Sequence, residues 1–211
     1  EDYLQRPLYD RDPAEELAAK GIDLLLNLSA SPFHVGKPAE RREMLGKVAR
    51  QAKVPVIYCN AAAGQDQLVF DGHSVVIRPD GSTAAQLKGF ADETRVIDPF
   101  SAPAEEITDT PSAEQLYNAL VLGLRDYATK CGFTSACLGL SGGIDSAITA
   151  VIAADALGSE NVHGLTMPSP YSSGGSVSDS FALAKNLGIR CDEVPISDVY
   201  HTIKATLKPL F

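Results

Sequence analysis

The sequence predicts an α/β protein in two parts, the second built on a parallel sheet. Three observations carry that prediction. From residue 112 onward, apolar strand-like runs alternate with helical segments. Strands joined by connections of helix length lie parallel, with right-handed crossovers. A glycine-rich turn, Ser141-Gly142-Gly143-Ile144-Asp145-Ser146, separates one such strand from one such helix, at the carboxyl end of a strand, where these sheets bind ligands. Before residue 98 the chain reads β/α and then hairpin, the hairpin marked by Asp80-Gly81.

Each element has a local cause. Asp12-Pro13-Ala14-Glu15-Glu16 opens a helix with a capping side chain, proline at the first position and acids in the first turn. Gly21 ends it. Residues 22–28 form a predicted buried strand. Residues 38–53 form a second helix, with Met44, Val48 and Ala52 on its apolar face, while Glu40-Arg41-Arg42-Glu43 reads as an exposed face. Strands follow at 54–60, 69–70 and 74–77, and the hairpin returns as 83–87. Residues 98–112, with Pro99, Pro103 and Pro111, form the predicted linker, which divides the chain into 1–105 and 106–211. The next helix, 112–130, carries Leu116, Leu120, Leu124 and Tyr127/Ala128 on one face, with Gly132 past its end. Strand 136–140, helix 145–157, strand 162–167, helix 178–187, strand 190–196 and helix 198–207 complete the series.

Composition narrows the function classes. Hydrophobic residues make up 45% of the 211, enough for a substantial core. No apolar run reaches the length of a membrane span, and the first residues lack the basic and apolar segments of a signal peptide. The chain does not begin with methionine, so a fragment or processed chain is expected. A net charge of −9 argues against a general nucleic-acid or anionic-membrane surface. Cys59, Cys131, Cys137 and Cys191 show no C-x-x-C spacing, so buried free thiols in a cytoplasmic protein are expected, and no zinc site. His34, His73, His163 and His201 are scattered and read as solvated or hydrogen-bonded imidazoles.

The glycine-rich turn carries the chemistry. Main-chain N–H groups at a helix start attract phosphate, and glycines admit its close approach. Ser141 and Ser146 add hydroxyl donors, and Asp145 can hold a cation beside the phosphates. A Walker A loop ends in Gly-Lys-[Ser/Thr], whereas this turn has no lysine.

The stretch resembles the SGGxDS loop of ATP pyrophosphatases, which cleave ATP between its α- and β-phosphates and pass AMP to an acceptor. GMP synthetases, asparagine synthetases and tRNA-thiolating enzymes share that loop. Residues 167–179, Met-Pro-Ser-Pro-Tyr-Ser-Ser-Gly-Gly-Ser-Val-Ser-Asp, followed by Ala182-Leu183-Ala184-Lys185-Asn186-Leu187-Gly188, resemble the corresponding stretch of NAD synthetases. That resemblance implies a Rossmann-like adenine-nucleotide α-hydrolase domain. It makes Gly139, Leu140, Ser141, Gly142, Gly143, Ile144, Asp145 and Ser146 the ATP-binding loop, Asp145 the magnesium ligand, and Ser172 and Ser173 part of a second nucleotide loop. The two loops are expected to face one site. The family's second acidic ligand and its deamido-NAD contacts would lie beyond Phe211.

The first part resembles the latter portion of a nitrilase-type (carbon–nitrogen hydrolase) glutaminase, an αββα sandwich. The resemblance rests on Asn27-Leu28-Ser29-Ala30-Ser31-Pro32-Phe33, Gly36-Lys37, Arg41, the run 64–72 and Pro79-Asp80-Gly81. It implies that Ser31 and Lys37 bind glutamine. The family's nucleophilic cysteine stands before an acidic pair, and this chain opens with Glu1-Asp2, so that cysteine is expected immediately before Glu1. Glu1 would be its indirect partner, and none of the four cysteines present takes the role. Together the two resemblances imply a glutamine-dependent NAD synthetase: ATP, Mg²⁺, deamido-NAD and glutamine as ligands, no nucleic-acid or membrane partner, and a homo-oligomer. The alternatives are another SGGxDS-loop ligase of GMP-synthetase or tRNA-modifying type, or a non-catalytic nucleotide-binding remnant.

Overall fold

The computed structural model describes residues 12–210. Glu1 and Asp2, and with them the expected partner of the nucleophile, lie outside the described residues. By its internal contacts the chain resolves into two compact units, Glu1–Gly123 and Leu124–Phe211. Both are α/β.

In the first unit, helix α1 (Pro13–Ala18) is capped by Asp12, whose carboxylate accepts the N–H groups of Ala14 and Glu15. Strand β1 (Leu25–Ser29) pairs in parallel with β2 (Val56–Asn60). The intervening helix α2 (Lys37–Ala52) starts after Gly36 at φ +88° and stops at Lys53 at φ +58°. Strands β3 (Ala62–Gln65) and β4 (Leu68–Asp71) form their own hairpin. Strands β5 (Val75–Ile77) and β6 (Thr83–Gln86) form the antiparallel hairpin around Asp80-Gly81 and complete the sheet β1-β2-β5-β6.

The core lies where α2 covers this sheet, with Leu45 and Ala49 against Val56, Tyr58, Val75 and Ile77. The other sheet face holds Val76, Ala84 and Ala85, packed by Ile57, Ile97 and Ala102. Two expectations fail here. The buried stripe of α2 is Arg41, Leu45 and Ala49, while Met44 is 39% exposed. Arg41 can be buried because Asp71 meets its charge. Residues 22–28 are not buried throughout: β1 is an edge strand, and Leu26 and Leu28 are exposed on it.

Helix α3 (Ser112–Cys131) runs across the division between the units. Its buried residues include Gln115, Ala119, Leu122 and Ala128, whereas Leu116 and Leu120 stay nearly half exposed. Small side chains explain the choice of face. A Cβ on Gly123 would stand 3.1 Å from Val69 Cγ2, so the helix approaches β4 more closely than a leucine stripe would allow.

The second unit carries a three-stranded parallel sheet in the order β7 (Ala136–Gly139), β8 (Val162–Thr166), β9 (Arg190–Glu193). Helices α4 (Ile144–Leu157) and α5 (Gly174–Leu187) connect them. Leu140, Ala150, Ala153, Ala154, Val162, Ala184 and Ile189 form the core. The alanines let α4 sit close to the sheet. Helix α6 (Ser197–Leu207) follows and has no buried residue. The predicted burial of the thiols is corrected: Cys59, Cys131 and Cys137 are exposed and Cys191 is half-buried, all four free. Cys59 and Cys137 alternate with inward-facing neighbours and so point away from the helix-covered faces. Among the described residues no helix is long and apolar enough to cross a membrane.

Candidate functional site

The glycine-rich turn occupies the seam between β7 and α4. Gly139 ends the strand, and Leu140 is locked beneath the turn, its side chain 2% exposed and its N–H donating to Leu165 O at 2.7 Å. Leu140 therefore braces the turn from below, with its N–H and its carbonyl oxygen both engaged inside the protein. Gly142 has φ +76°, a conformation that disfavours any residue with a Cβ. Ser141 and Ser146 brace the turn. The Ser141 N–H donates to Ser146 Oγ at 3.2 Å, and Ser146 Oγ donates to Gly143 O at 3.0 Å. The two hydroxyls lie 3.1 Å apart, and the Gly143 N–H reaches Ser141 Oγ at 3.3 Å. The first-turn amides of α4 have no acceptor within the helix and form its positive end. Ile144 and Asp145 are exposed on that turn.

The second loop meets the first. A Cβ on Gly142 would lie 2.7 Å from both Cα and O of Ser176, in the first turn of α5. The buried Ser180 hydroxyl lies 3.2 Å from Leu140 O and 2.8 Å from Ser176 O. A cavity of about 320 Å³ opens between Gly142, Gly143 and Ser146 on one side and Asp179, Ser180 and Leu183 on the other. Ser173 caps α5 by accepting the Ser176 N–H. Ser172 Oγ accepts the Ser169 N–H at 2.9 Å. Tyr171 bonds Tyr200 through their hydroxyls at 3.0 Å, and that bond raises the Tyr171 pKa. The turn and the serine-rich loop are thus adjacent, as expected of two loops at neighbouring strand ends. Among the described residues no three His, Cys, Asp or Glu side chains gather as a metal-binding group. The expected metal ligand, Asp145, is exposed on the first turn of α4 and does not line that cavity, whereas Asp179 does.

In the first unit, Ser31 and Lys37 bracket the loop from β1 to α2. Ser31 is half-buried and donates its N–H to Asn60 Oδ1 at 2.9 Å. Lys37 is half-buried at the first position of α2. Beneath the loop lies a polar cluster that the sequence reading missed. Asp71 is fully buried and takes a two-pronged ion pair from Arg41, at 2.7 and 3.0 Å. His73 Nδ1 lies 2.9 Å from Asp71 Oδ2, and Asn60 Nδ2 donates to Asp71 Oδ1 at 3.2 Å. Burial pushes the Asp71 carboxyl up, but hydrogen bonds from His73 and Arg41 outweigh it and hold its pKa below the ordinary value. Arg41 sat in a charged run that read as solvated. The available signal was its i, i+4 spacing to Leu45 and Ala49.

Comparison with known proteins bears on both units. Residues 9–98 match the carbon-nitrogen hydrolase family and residues 116–210 the NAD synthase family. The glutamine-dependent NAD(+) synthetase of Synechocystis sp. is 41% identical over all of this chain. That of Rhodobacter capsulatus is 43% identical over 93% of it. The solved structure of the Acinetobacter baumannii glutamine-dependent NAD+ synthetase, in complex with ADP, superposes over 93% of the chain with a TM-score of 0.83 and 36% identity.

The chain is similar to the glutamine-dependent NAD(+) synthetases along nearly its whole length.

It spans about two fifths of these synthetases: 39% of the Synechocystis protein, 37% of the Rhodobacter protein and 38% of the Acinetobacter chain. The alternative ligases are not favoured, because residues 9–98 match the carbon-nitrogen hydrolase family.

Proposed function

We propose that the protein makes NAD from deamido-NAD, with ATP as activator and glutamine as nitrogen source. The observation that carries this reading is the lysine-free turn at the start of α4, packed through Gly142 onto the serine-rich loop. The carboxylate oxygen of the deamido substrate attacks the α-phosphorus of ATP. The α–β phosphoanhydride bond breaks and pyrophosphate leaves. Ammonia then attacks the acyl carbon of the mixed anhydride, and AMP departs with the bonding electron pair.

In this assignment residues 139–146 receive the phosphates. The main-chain amides of the turn and the Ser141 and Ser146 hydroxyls exchange their internal bonds for bonds to pyrophosphate oxygens. Ser172 and Ser173 belong to the loop that closes over the nucleotide. Asp145, the carboxylate of this turn, would hold Mg²⁺, and the ion would neutralise developing phosphate charge. Ser31 and Lys37 hold glutamine, Lys37 by pairing with the α-carboxylate. Residues 1–105 then serve as glutaminase and 106–211 as ligase, in a cytoplasmic homo-oligomer.

The test is pyrophosphate release by the intact protein. Deamido-NAD with ATP and ammonia should give one pyrophosphate per NAD formed. Release with xanthosine monophosphate in place of deamido-NAD, or none with deamido-NAD, would overturn the assignment. A Lys37→Ala protein should show a raised KM for glutamine while ammonia still supports the ligase reaction.

A further inference from the structure

We propose that the buried Asp71 is the hub of a positioning network that sets the glutamine-binding loop, with Asn60 as its arm on Ser31. The inference rests on the reading of Ser31 and Lys37 as glutamine-binding residues and adds the groups that hold them in place.

The loop from β1 to α2 is gripped at both ends from one carboxylate. At its start, the Ser31 N–H donates to Asn60 Oδ1, and the other end of the same amide, Nδ2, donates to Asp71 Oδ1 and to Gly72 O at 3.2 and 3.0 Å. These partners fix which way the Asn60 amide points. At its end, Lys37 begins α2, and Arg41 lies one turn further on. Arg41 forks onto both Asp71 oxygens and reaches Gly72 O at 3.1 Å. Asn60 and Arg41 therefore share the same two acceptors. Arg41, Asn60, Asp71 and His73 are each 7% exposed or less, and water has little access to compete.

The surrounding backbone is bent to build this hub. His73 has φ +47° and Phe90 φ +56°, both in the left-handed region that side-chain-bearing residues avoid. Those turns bring His73 Nδ1 to Asp71 and stack the His73 ring edge-on against Phe90, which in turn meets Phe33 of the loop edge-on. A Cβ on Gly89 would collide with the His73 ring and displace it. A buried ion pair is seldom worth more to stability than a packed apolar pair. Its value here is geometric: it makes one rigid point to which Ser31, Lys37 and Phe33 all refer.

The experiment compares glutamine-driven and ammonia-driven NAD formation in the intact protein. Asn60→Ala removes the arm and keeps the Arg41–Asp71 pair. It should raise the KM for glutamine about tenfold, the worth of the lost bond to the Ser31 N–H. The kcat at saturating glutamine and the ammonia-driven rate should stay near their unmodified values, with a modest fall in melting temperature from the buried hydrogen bonds lost with the amide. Gly89→Ala, which alters no hub side chain but displaces His73, should shift the glutamine KM in the same direction. An unchanged glutamine KM in a folded Asn60→Ala protein overturns the network. So does a parallel loss of both routes with a lowered melting temperature, since that marks a merely structural role. Lys37→Ala separates the two levels: if it leaves the glutamine KM unchanged, the glutamine site itself is misplaced. If it raises that KM while Asn60→Ala does not, only the network falls.

Discussion

Single atoms decide the two sites. At Gly142 a methyl group would meet Ser176 main-chain atoms at 2.7 Å, and φ is +76°. Gly142→Ala should therefore cost about 1–2 kcal/mol from the backbone alone and more from the displaced α5 start. The expected readouts are a lowered melting temperature and a KM for ATP raised at least about tenfold, measured by pyrophosphate release. Asp71 supplies a pH signature. Its pKa is depressed in the fold, so its contribution is complete above the unfolded value of about 3.9. It is lost as pH falls through the folded value. The melting temperature should drop below about pH 4, and Asp71→Asn should flatten that drop. The same substitution leaves Arg41 buried opposite a neutral partner and should cost about 3–5 kcal/mol at neutral pH, seen in denaturant unfolding. Ser31, Lys37 and the turn are singled out in the sequence by motif order, and their roles remain the proposal made above. Asn60 and Asp71 were not legible, because a polar residue at a strand end looks the same whether it meets solvent or a buried arginine.

Among elements, strand and helix order was legible almost throughout, whereas faces and edges were not. The alternation after residue 112 specifies the parallel sheet, since each helix-length connection must return the chain in the same direction. Strand β3 escaped notice because Ala62-Ala63-Gly64-Gln65 has neither alternation nor β-branched residues. Its pairing comes from the left-handed Asp66 at φ +54° and its partner β4. The stripes of α2 and α3 were each misassigned, because several faces carry apolar residues and only the partner surface selects one. Caps behave more locally. Ser173→Ala removes the acceptor for the Ser176 N–H and should cost about 1 kcal/mol. Amide exchange should quicken in the first turn of α5 and remain slow at its C-terminal end.

At the scale of the molecule, each unit has its own core. Leu45 is 3% exposed between α2 and the mixed sheet. Leu45→Ala should cost about 2–5 kcal/mol. The loss should appear in hydrogen exchange as weakened protection of β2 and β5, with β7 and β8 little affected, because their core is built from Leu140, Ala150, Val162 and Ala184. Equal loss of protection in both sheets would show that the units unfold as one. In the division of labour proposed for the protein, glutamine contacts are assigned to the first unit and nucleotide contacts to the second.

By itself the sequence determined the α/β class, the parallel pairing of the second unit's strands and the position of the glycine-rich turn between a strand and a helix. These depend on spacing along the chain and on main-chain geometry, which neighbouring residues impose. Only the tertiary structure decided that Arg41 is buried, that Asn60, Asp71 and His73 converge under the Ser31 loop, and that Gly142 touches Ser176. Those facts depend on which surfaces meet across many residues of chain, and the free energy of a charge or a missing methyl group takes its sign from what it meets there.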